Sequence, residues 1–195
     1  MEKNILNKIF PPSENIMNLK YDGEGLWSIT LPQDADTISQ IILNENNSDI
    51  TIIDTTAGLG GNTLSFAKYF KKVIAIELNK ERFMLLQNNI NTYDYSNITC
   101  INDDCIVYIN NIVSNNIVNN NIVYFFDPPW GGPDYKNSSK IRIKLGNSSM
   151  CDIIKKLKDN NSNIFIKLPN NYDLEEFVSF NYRVNKIKNY MLLIL

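Results

Sequence analysis

Asp127-Pro128-Pro129-Trp130 puts a carboxylate, two residues without a backbone N–H and a large aromatic face into four consecutive positions. Such a set suits the exocyclic amine of a nucleobase. That amine is a poor nucleophile, because its lone pair is delocalised into the ring and its hydrogens lie in the base plane. A carboxylate oxygen and a rigid carbonyl that accept the two hydrogens would draw the nitrogen toward sp³ geometry and aim it at an electrophile. Prolines fix φ and present carbonyls without competing donors. The Trp130 face can stack on a base, and a cationic base would gain about 0.5 to 2 kcal/mol of cation–π attraction there. Asp127 is read first as an orienting acceptor. Whether it also removes a proton stays open, since the amine becomes acidic only once alkylated. The bland alternative is a Pro-Pro turn beside a core tryptophan.

A second chemical cluster precedes it. Asp54-Thr55-Thr56-Ala57-Gly58-Leu59-Gly60-Gly61-Asn62-Thr63 reads as a strand end, a glycine-rich turn and a helix start. Gly58 and Gly60 let the backbone approach a ligand closely, and Asn62 or Thr63 is placed to cap the helix. Dinucleotide sites use a similar turn to hold a pyrophosphate. The acid that opens the turn shifts the balance, because Asp54 can pair with the ammonium of a zwitterionic cofactor and would repel a pyrophosphate. S-adenosylmethionine fits that description better than a dinucleotide. Glu77 follows at the end of the next strand, where a carboxylate can take both ribose hydroxyls. Asp104 follows the third strand, placed to accept from an adenine amino group. One strand-end acid is ordinary, whereas three at successive strand ends form a pattern.

Elements that alternate β-branched runs with helical spacing must carry these residues. Strands are predicted at Ile50–Asp54, Val73–Glu77, Ile98–Ile101 and Ile122–Phe126, the last delivering Asp127 at its carboxyl end. Helices are predicted at Leu64–Phe70, at Lys80–Asn91 with Phe83, Leu86 and Ile90 on one face, and at Ile106–Ile112. Residues 131 to 150 lack periodicity and read as a lid or binding loop. Helix Cys151–Leu157, strand Ile164–Leu168, helix Leu174–Val178 and a hairpin of Arg183–Ile187 with Met191–Leu195 complete the alternation. The pattern predicts an α/β, Rossmann-like class I methyltransferase fold with a seven-stranded, mostly parallel sheet and a terminal antiparallel hairpin. Residues 49–195 form that domain. Residues 1–48 are an amino-terminal extension that contributes to the substrate or cofactor site, with a helix at Asp36–Leu43 and little periodicity over residues 1 to 33.

Composition narrows the chemistry. The 195 residues suffice for one α/β domain. Histidine is absent, which removes the commonest general base and metal ligand. Cys100, Cys105 and Cys151 lack CxxC spacing and suggest neither a zinc site nor a disulfide framework. The net charge of −2 means that any polyanionic partner is met by a local patch. No apolar run approaches the roughly 18 residues that cross a bilayer. Asparagine runs such as Asn115-Asn116 and Asn119-Asn120-Asn121 read as compositional drift in loops.

Beyond Trp130 the run continues Gly131-Gly132-Pro133-Asp134-Tyr135, and the resulting PPWGGPDY string resembles the trimethylguanosine synthase family, enzymes that hypermethylate the 5′ cap of RNA. The position before the two prolines varies in that family and is often serine. Asp127 matches instead the DPPW of adenine-N6 methyltransferases. Asp22-Gly23-Glu24-Gly25-Leu26-Trp27-Ser28-Ile29-Thr30 is similar to the family's DxEGxxSVT, Ala57–Thr63 to its CGVGGNT, and Leu168-Pro169-Asn170-Asn171 to its LPRN. The resemblance spans the chain from about residue 20 to the carboxyl end.

The resemblance implies an S-adenosylmethionine-dependent transfer to N2 of 7-methylguanosine, giving the 2,7-dimethyl and, with a second transfer, the 2,2,7-trimethyl base. It implies that Trp130 stacks on the 7-methylguanine, with Pro129, Asp134 and Tyr135 beside it, and that Asp127 and Pro128 hold the amine. Asp54, Gly58, Gly60, Asn62, Glu77 and Asp104 would bind the cofactor, with Thr30 near it. Asn170 stands where the family usually has an arginine that helps neutralise the cap triphosphate. The aromatic, basic helical segment expected near the amino terminus is not recognisable in Lys3 to Pro12. Cap affinity is then either reduced or supplied by Lys3, Lys8, Lys20, Lys136, Lys140, Arg142 or Lys144. The Lys136 to Lys144 group reads equally as a solvated loop. The partner expected is 5′-capped RNA, met by a monomer without metal or membrane, inside the cell, in the nucleus or cytoplasm, and in a host cell for a viral source. Methylation of adenine N6 or of an rRNA guanine, and a catalytically silent cap-binding relative, are the alternatives.

Overall fold

The amino-terminal stretch carries more regular structure than its sequence pattern predicts. In the computed structural model, which describes residues 2–115, 121–159 and 162–195, Glu2–Ile9 forms helix α1 and buries Leu6 and Ile9. A 3-10 turn at Ile16–Asn18 follows, then helix α2 at Gly23–Ser28. These helices are 8 and 6 residues long, so each shows too few turns for a period to emerge. Asp22 caps α2, its Oδ1 accepting from the Gly25 N–H at 2.5 Å. Helix α3, Pro32–Glu45, extends the predicted Asp36–Leu43 at both ends. Pro32 suits its first turn, where φ is preset and the missing N–H costs nothing.

Strand β1 (Thr51–Asp54), helix α4 (Gly61–Tyr69), strand β2 (Lys72–Ile76), helix α5 (Lys80–Tyr93) and strand β3 (Ile98–Ile101) then alternate as the apolar pattern requires. β2 pairs in parallel with β1 on one side and β3 on the other, with Ile52 opposite Val73 and Val73 opposite Ile98. Leu6, Ile9, Phe10, Ile16 and Leu19 of the amino-terminal stretch pack with Leu59, Leu86 and Ile90 in one apolar cluster. The buried Asn89 side chain fastens this stretch. It accepts from the Lys20 N–H at 2.8 Å and donates to the Lys20 and Leu59 carbonyls at 2.9 and 3.1 Å.

The described residues divide into two compact units after Cys105, the first residue of helix α6 (Cys105–Ser114). In the second unit come strand β4 (Ile122–Phe126), a 3-10 turn at Pro133–Asn137, short strands β5 (Lys144–Leu145) and β6 (Ser148–Ser149), and helix α7 (Met150–Lys158). Strand β7 (Asn163–Pro169), a 3-10 turn at Leu174–Phe177, and strands β8 (Arg183–Ile187) and β9 (Tyr190–Ile194) follow. The predicted helix at Leu174–Val178 is thus a 3-10 turn, opened by Asp173, whose side chain accepts from the Glu175 N–H. The stretch from 131 to 150 is less irregular than predicted, since it holds a 3-10 turn and the β5–β6 pair with Ile143 and Leu145 buried. Asn116, Asn119 and Asn120 lie outside the described residues.

The sheet order is β3-β2-β1-β4-β7-β9-β8, with β4 parallel to β7, and β9 antiparallel to both β7 and β8. This is the mostly parallel, seven-stranded sheet with a terminal antiparallel hairpin that the alternation predicts. Among the described residues no helix is long and apolar enough to cross a membrane.

Candidate functional site

In the first unit, three acids stand at or just beyond the carboxyl ends of three adjacent parallel strands. Asp54 ends β1 and is fully buried, with its Oδ2 accepting from the Thr63 hydroxyl at 2.6 Å. Its charge reaches β3, where burial and then Asp54 push the Cys100 thiol up to about 11. Glu77 follows β2. Its Oε2 accepts from the Gly58 N–H and its Oε1 from the Asn79 N–H, both at 2.9 Å. Each carboxylate oxygen has two acceptor directions, so these bonds orient Glu77 while leaving capacity for ligand hydroxyls. Asn102 bonds the Glu77 and Leu78 carbonyls at 2.8 and 3.1 Å, tying the end of β3 to the end of β2 just before Asp104.

The loop between Asp54 and α4 is shaped by backbone rather than by side-chain caps. Gly58 and Gly60 have φ of 56° and 97°, and Gly60, which has no side chain to cap with, is the N-cap of α4. The predicted capping by Asn62 or Thr63 is therefore corrected. Both lie inside the first turn, where Thr63 serves Asp54 and the Asn62 amide donates to the Thr30 hydroxyl at 3.1 Å. Thr30 also presses on the loop, since a Cβ added at Gly61 would stand 2.6 Å from its carbonyl oxygen. Asp22 and Glu24 both pair with Arg82 of α5, at 3.0 and 2.7 Å. The segment from Asp22 to Thr30 is thereby a brace for the glycine loop.

The second unit holds a different constellation. Asp127 directly follows β4, and its Oδ2 accepts from the Lys167 ammonium at 2.8 Å, both side chains being largely buried. The same Nζ lies 5.2 Å from the Trp130 ring centroid and 5.3 Å from that of Tyr190. Tyr135 meets Trp130 edge-on at 5.1 Å and 82°. Asn171 holds the turn that carries Tyr135, donating to the Tyr135 and Ser138 carbonyls at 2.8 Å. Gly131 and Gly132, at φ of 91° and 80°, make the bend after Trp130 in a region that L side chains rarely enter. Trp130 Nε1 is buried without a hydrogen-bond partner among the described residues, an orphan donor of the kind that functional sites retain.

Other predicted residues fall around this centre. Pro128 is buried, while Pro129 and Asp134 are exposed. Asn170 follows β7 and donates to the Lys188 carbonyl at 2.9 Å, which ties it to the β8–β9 turn. Lys140 and Arg142 are engaged by acids: Arg142 bonds Asp173 through Nε and a terminal nitrogen at 3.1 and 2.9 Å, and Lys140 bonds Asp173 and Glu175. Lys136 lies 5.7 Å from the Tyr135 ring centroid. Sequence reasoning missed Lys167, Arg82 and Asn89, and read Gly25 only as part of the Asp22 to Thr30 motif. A signal existed only for Lys167, a lone charge inside the apolar run Ile164 to Leu168. Gly25 is needed because a Cβ there would come within 2.3 Å of Leu59. Among the described residues no group of three or more His, Cys, Asp or Glu is placed to hold a metal ion.

An uncharacterized protein of Acanthamoeba polyphaga mimivirus is 35% identical over 206 residues, covering 91% of this chain and 79% of that protein. Trimethylguanosine synthase of Schizosaccharomyces pombe is 27% identical over 173 residues, covering 84% of this chain and 71% of that one. Among solved structures, an rRNA methylase from Streptococcus thermophilus superposes with a TM-score of 0.54 at 16% identity, over 85% of this chain and 96% of that one, which shows the shared fold. The family profile described as RNA cap guanine-N2 methyltransferase matches residues 50–192. That match runs from the residue before β1 into β9 and takes in both the acid-lined strand ends and the Asp127 to Trp130 turn, so the chain is a methyltransferase belonging to the RNA cap guanine-N2 methyltransferase family.

Proposed function

We propose that this chain transfers a methyl group from S-adenosylmethionine to N2 of 7-methylguanosine at the 5′ cap of RNA. The observation that carries the proposal is the Asp127 to Tyr135 turn. There a carboxylate and an indole face, braced edge-on by Tyr135, stand together in a chain of this family. Trp130 stacks on the base, Asp127 and the Pro128 carbonyl accept the amine hydrogens, and Pro129, Asp134 and Tyr135 border the base.

The first unit fits the methyl donor. Asp54 suits the ammonium of its amino-acid end, the Gly58 to Gly60 backbone its close approach, Glu77 its ribose and Asp104 its adenine. Asn62 and Thr30 hold the loop in shape, and residues 1–48 serve the site through that brace. When bound, the donor supplies an electrophilic methyl on a sulfonium. The chain's own task is to hold the amine in line and to accept its hydrogens, orientation being worth orders of magnitude in rate. The mimivirus relative supports a viral source acting in a host cell.

One observation favours a second acceptor. The Lys167 ammonium already lies over the Trp130 ring, which weakens the preference of that ring for a second cation and keeps a neutral base, adenine or an rRNA guanine, in contention. Labelled donor incubated with 7-methylguanosine cap analogue, unmethylated cap analogue and uncapped RNA separates the readings. Transfer confined to the 7-methylated analogue supports the proposal. Equal transfer to the unmethylated cap, or transfer to uncapped RNA alone, overturns it. Cap binding without transfer identifies a silent relative.

A further inference from the structure

We infer that Lys167 is a positioning residue for the amine acceptor Asp127, and that the two act as one unit in methyl transfer; this rests on the amino-methylation reading above. β4 and β7 run parallel with Phe126 opposite Ile166, so Asp127 and Lys167 come one step later on neighbouring strands. Lys167 is the one charge in a strand whose Ile164, Phe165, Ile166 and Leu168 are all buried, and its side chain is only 8% exposed. Burying an ammonium is costly, and a fold tolerates it where specific partners compensate.

The partners here are those of the acceptor site. Lys167 Nζ is 2.8 Å from Asp127 Oδ2, and the Trp130 and Tyr190 rings lie 5.2 and 5.3 Å from it. One ammonium therefore touches both the carboxylate that takes the amine hydrogen and the ring on which the base stacks. Anchoring Oδ2 stops the carboxylate from rotating and sets its plane relative to the indole. Tyr190, opposite Pro169 on β9, closes the ammonium in from the side of the terminal hairpin. Nothing in this arrangement requires Lys167 to touch the substrate, so its effect passes through Asp127.

The test is a double-mutant cycle with Lys167→Met, Asp127→Asn and the double variant, read as kcat, KM for the acceptor and Kd for S-adenosylmethionine. Lys167→Met is expected to lower kcat on the order of a hundredfold, the scale of a misplaced reacting group, with KM and Kd changed less than about twofold. Lys167→Arg, which keeps the charge, is expected to recover most of that loss. The double variant is expected to be no slower than Asp127→Asn alone, since a residue acting through Asp127 has nothing left to position. If Lys167→Met does not fold, the comparison of Asp127→Asn with the double variant carries the test, because both lack an unpaired buried carboxylate. Additive losses, or a rise in KM at unchanged kcat, overturn the role. A chain that methylates adenine-containing RNA and not the cap fails the substrate reading alone, and the same cycle run on that acceptor still judges Lys167.

Discussion

The first unit holds the strand-end acids Asp54 and Glu77 with backbone and hydroxyl donors, and the second holds its strand-end acid Asp127 with a buried cation. Glu77 is oriented by the Gly58 and Asn79 N–H groups and Asp54 by the Thr63 hydroxyl. Asp127 is oriented by Lys167 from another strand, in company with two aromatic rings. A ligand with many hydroxyls and an ammonium asks for acceptors at fixed spacing, which strand ends and a glycine loop supply. A flat base asks for a face and an edge, which need side chains converging from several elements. Under the proposed function the difference assigns donor and acceptor recognition to separable machinery, and substitutions can test that separation.

Asp54→Asn should have the largest effect. Loss of a buried charged acceptor is expected to lower S-adenosylmethionine affinity by about tenfold to a hundredfold in calorimetric titration, leaving cap-analogue affinity intact. A parallel fall in cap affinity would break the division between the units. The converse, Trp130→Ala, should weaken cap-analogue binding by about tenfold, the scale of one lost base stack, with the donor bound as before. Loss of donor affinity in this variant would count equally against separable machinery.

Smaller effects sharpen the picture of each unit. Gly61→Ala forces a Cβ to within 2.6 Å of the Thr30 carbonyl, whereas Gly23→Ala meets nothing within 4 Å. The first should cost about 1 to 3 kcal/mol in urea denaturation and the second less than about 0.5 kcal/mol. Similar costs would mean that the Thr30 brace does not press on the glycine loop. In the second unit, Lys136→Ala should reduce the magnitude of the salt slope of RNA binding by somewhat less than one, while Lys140→Ala should leave it unchanged because Asp173 and Glu175 already engage that cation. An equal change in slope for both would show that the acids release Lys140 to the RNA.

Legibility differs between the units in the same way as their construction. The three acids were readable because strands of four or five residues announce their own ends, and an acid at or within three residues of each end needs no knowledge of packing. The Asp127 to Tyr135 motif was readable as a contiguous string. Capping of α4 was misread because Asn62 and Thr63 are good caps by type, yet Gly60 takes that position in a left-handed conformation. The short helices at Glu2–Ile9 and Gly23–Ser28 were missed because one or two buried positions cannot display a period.

From sequence alone, then, the alternating α/β order, the strand-end acids, the aromatic turn and the family resemblance followed, because all are local in the chain. Tertiary structure alone decided that Lys167 pairs with Asp127 across 40 residues, that Asn89 fastens Lys20 across 69, and that Asp173 takes Arg142 across 31. Those partners are chosen by strand register and by the desolvation of charges and amides during packing. Both arise only when distant segments meet.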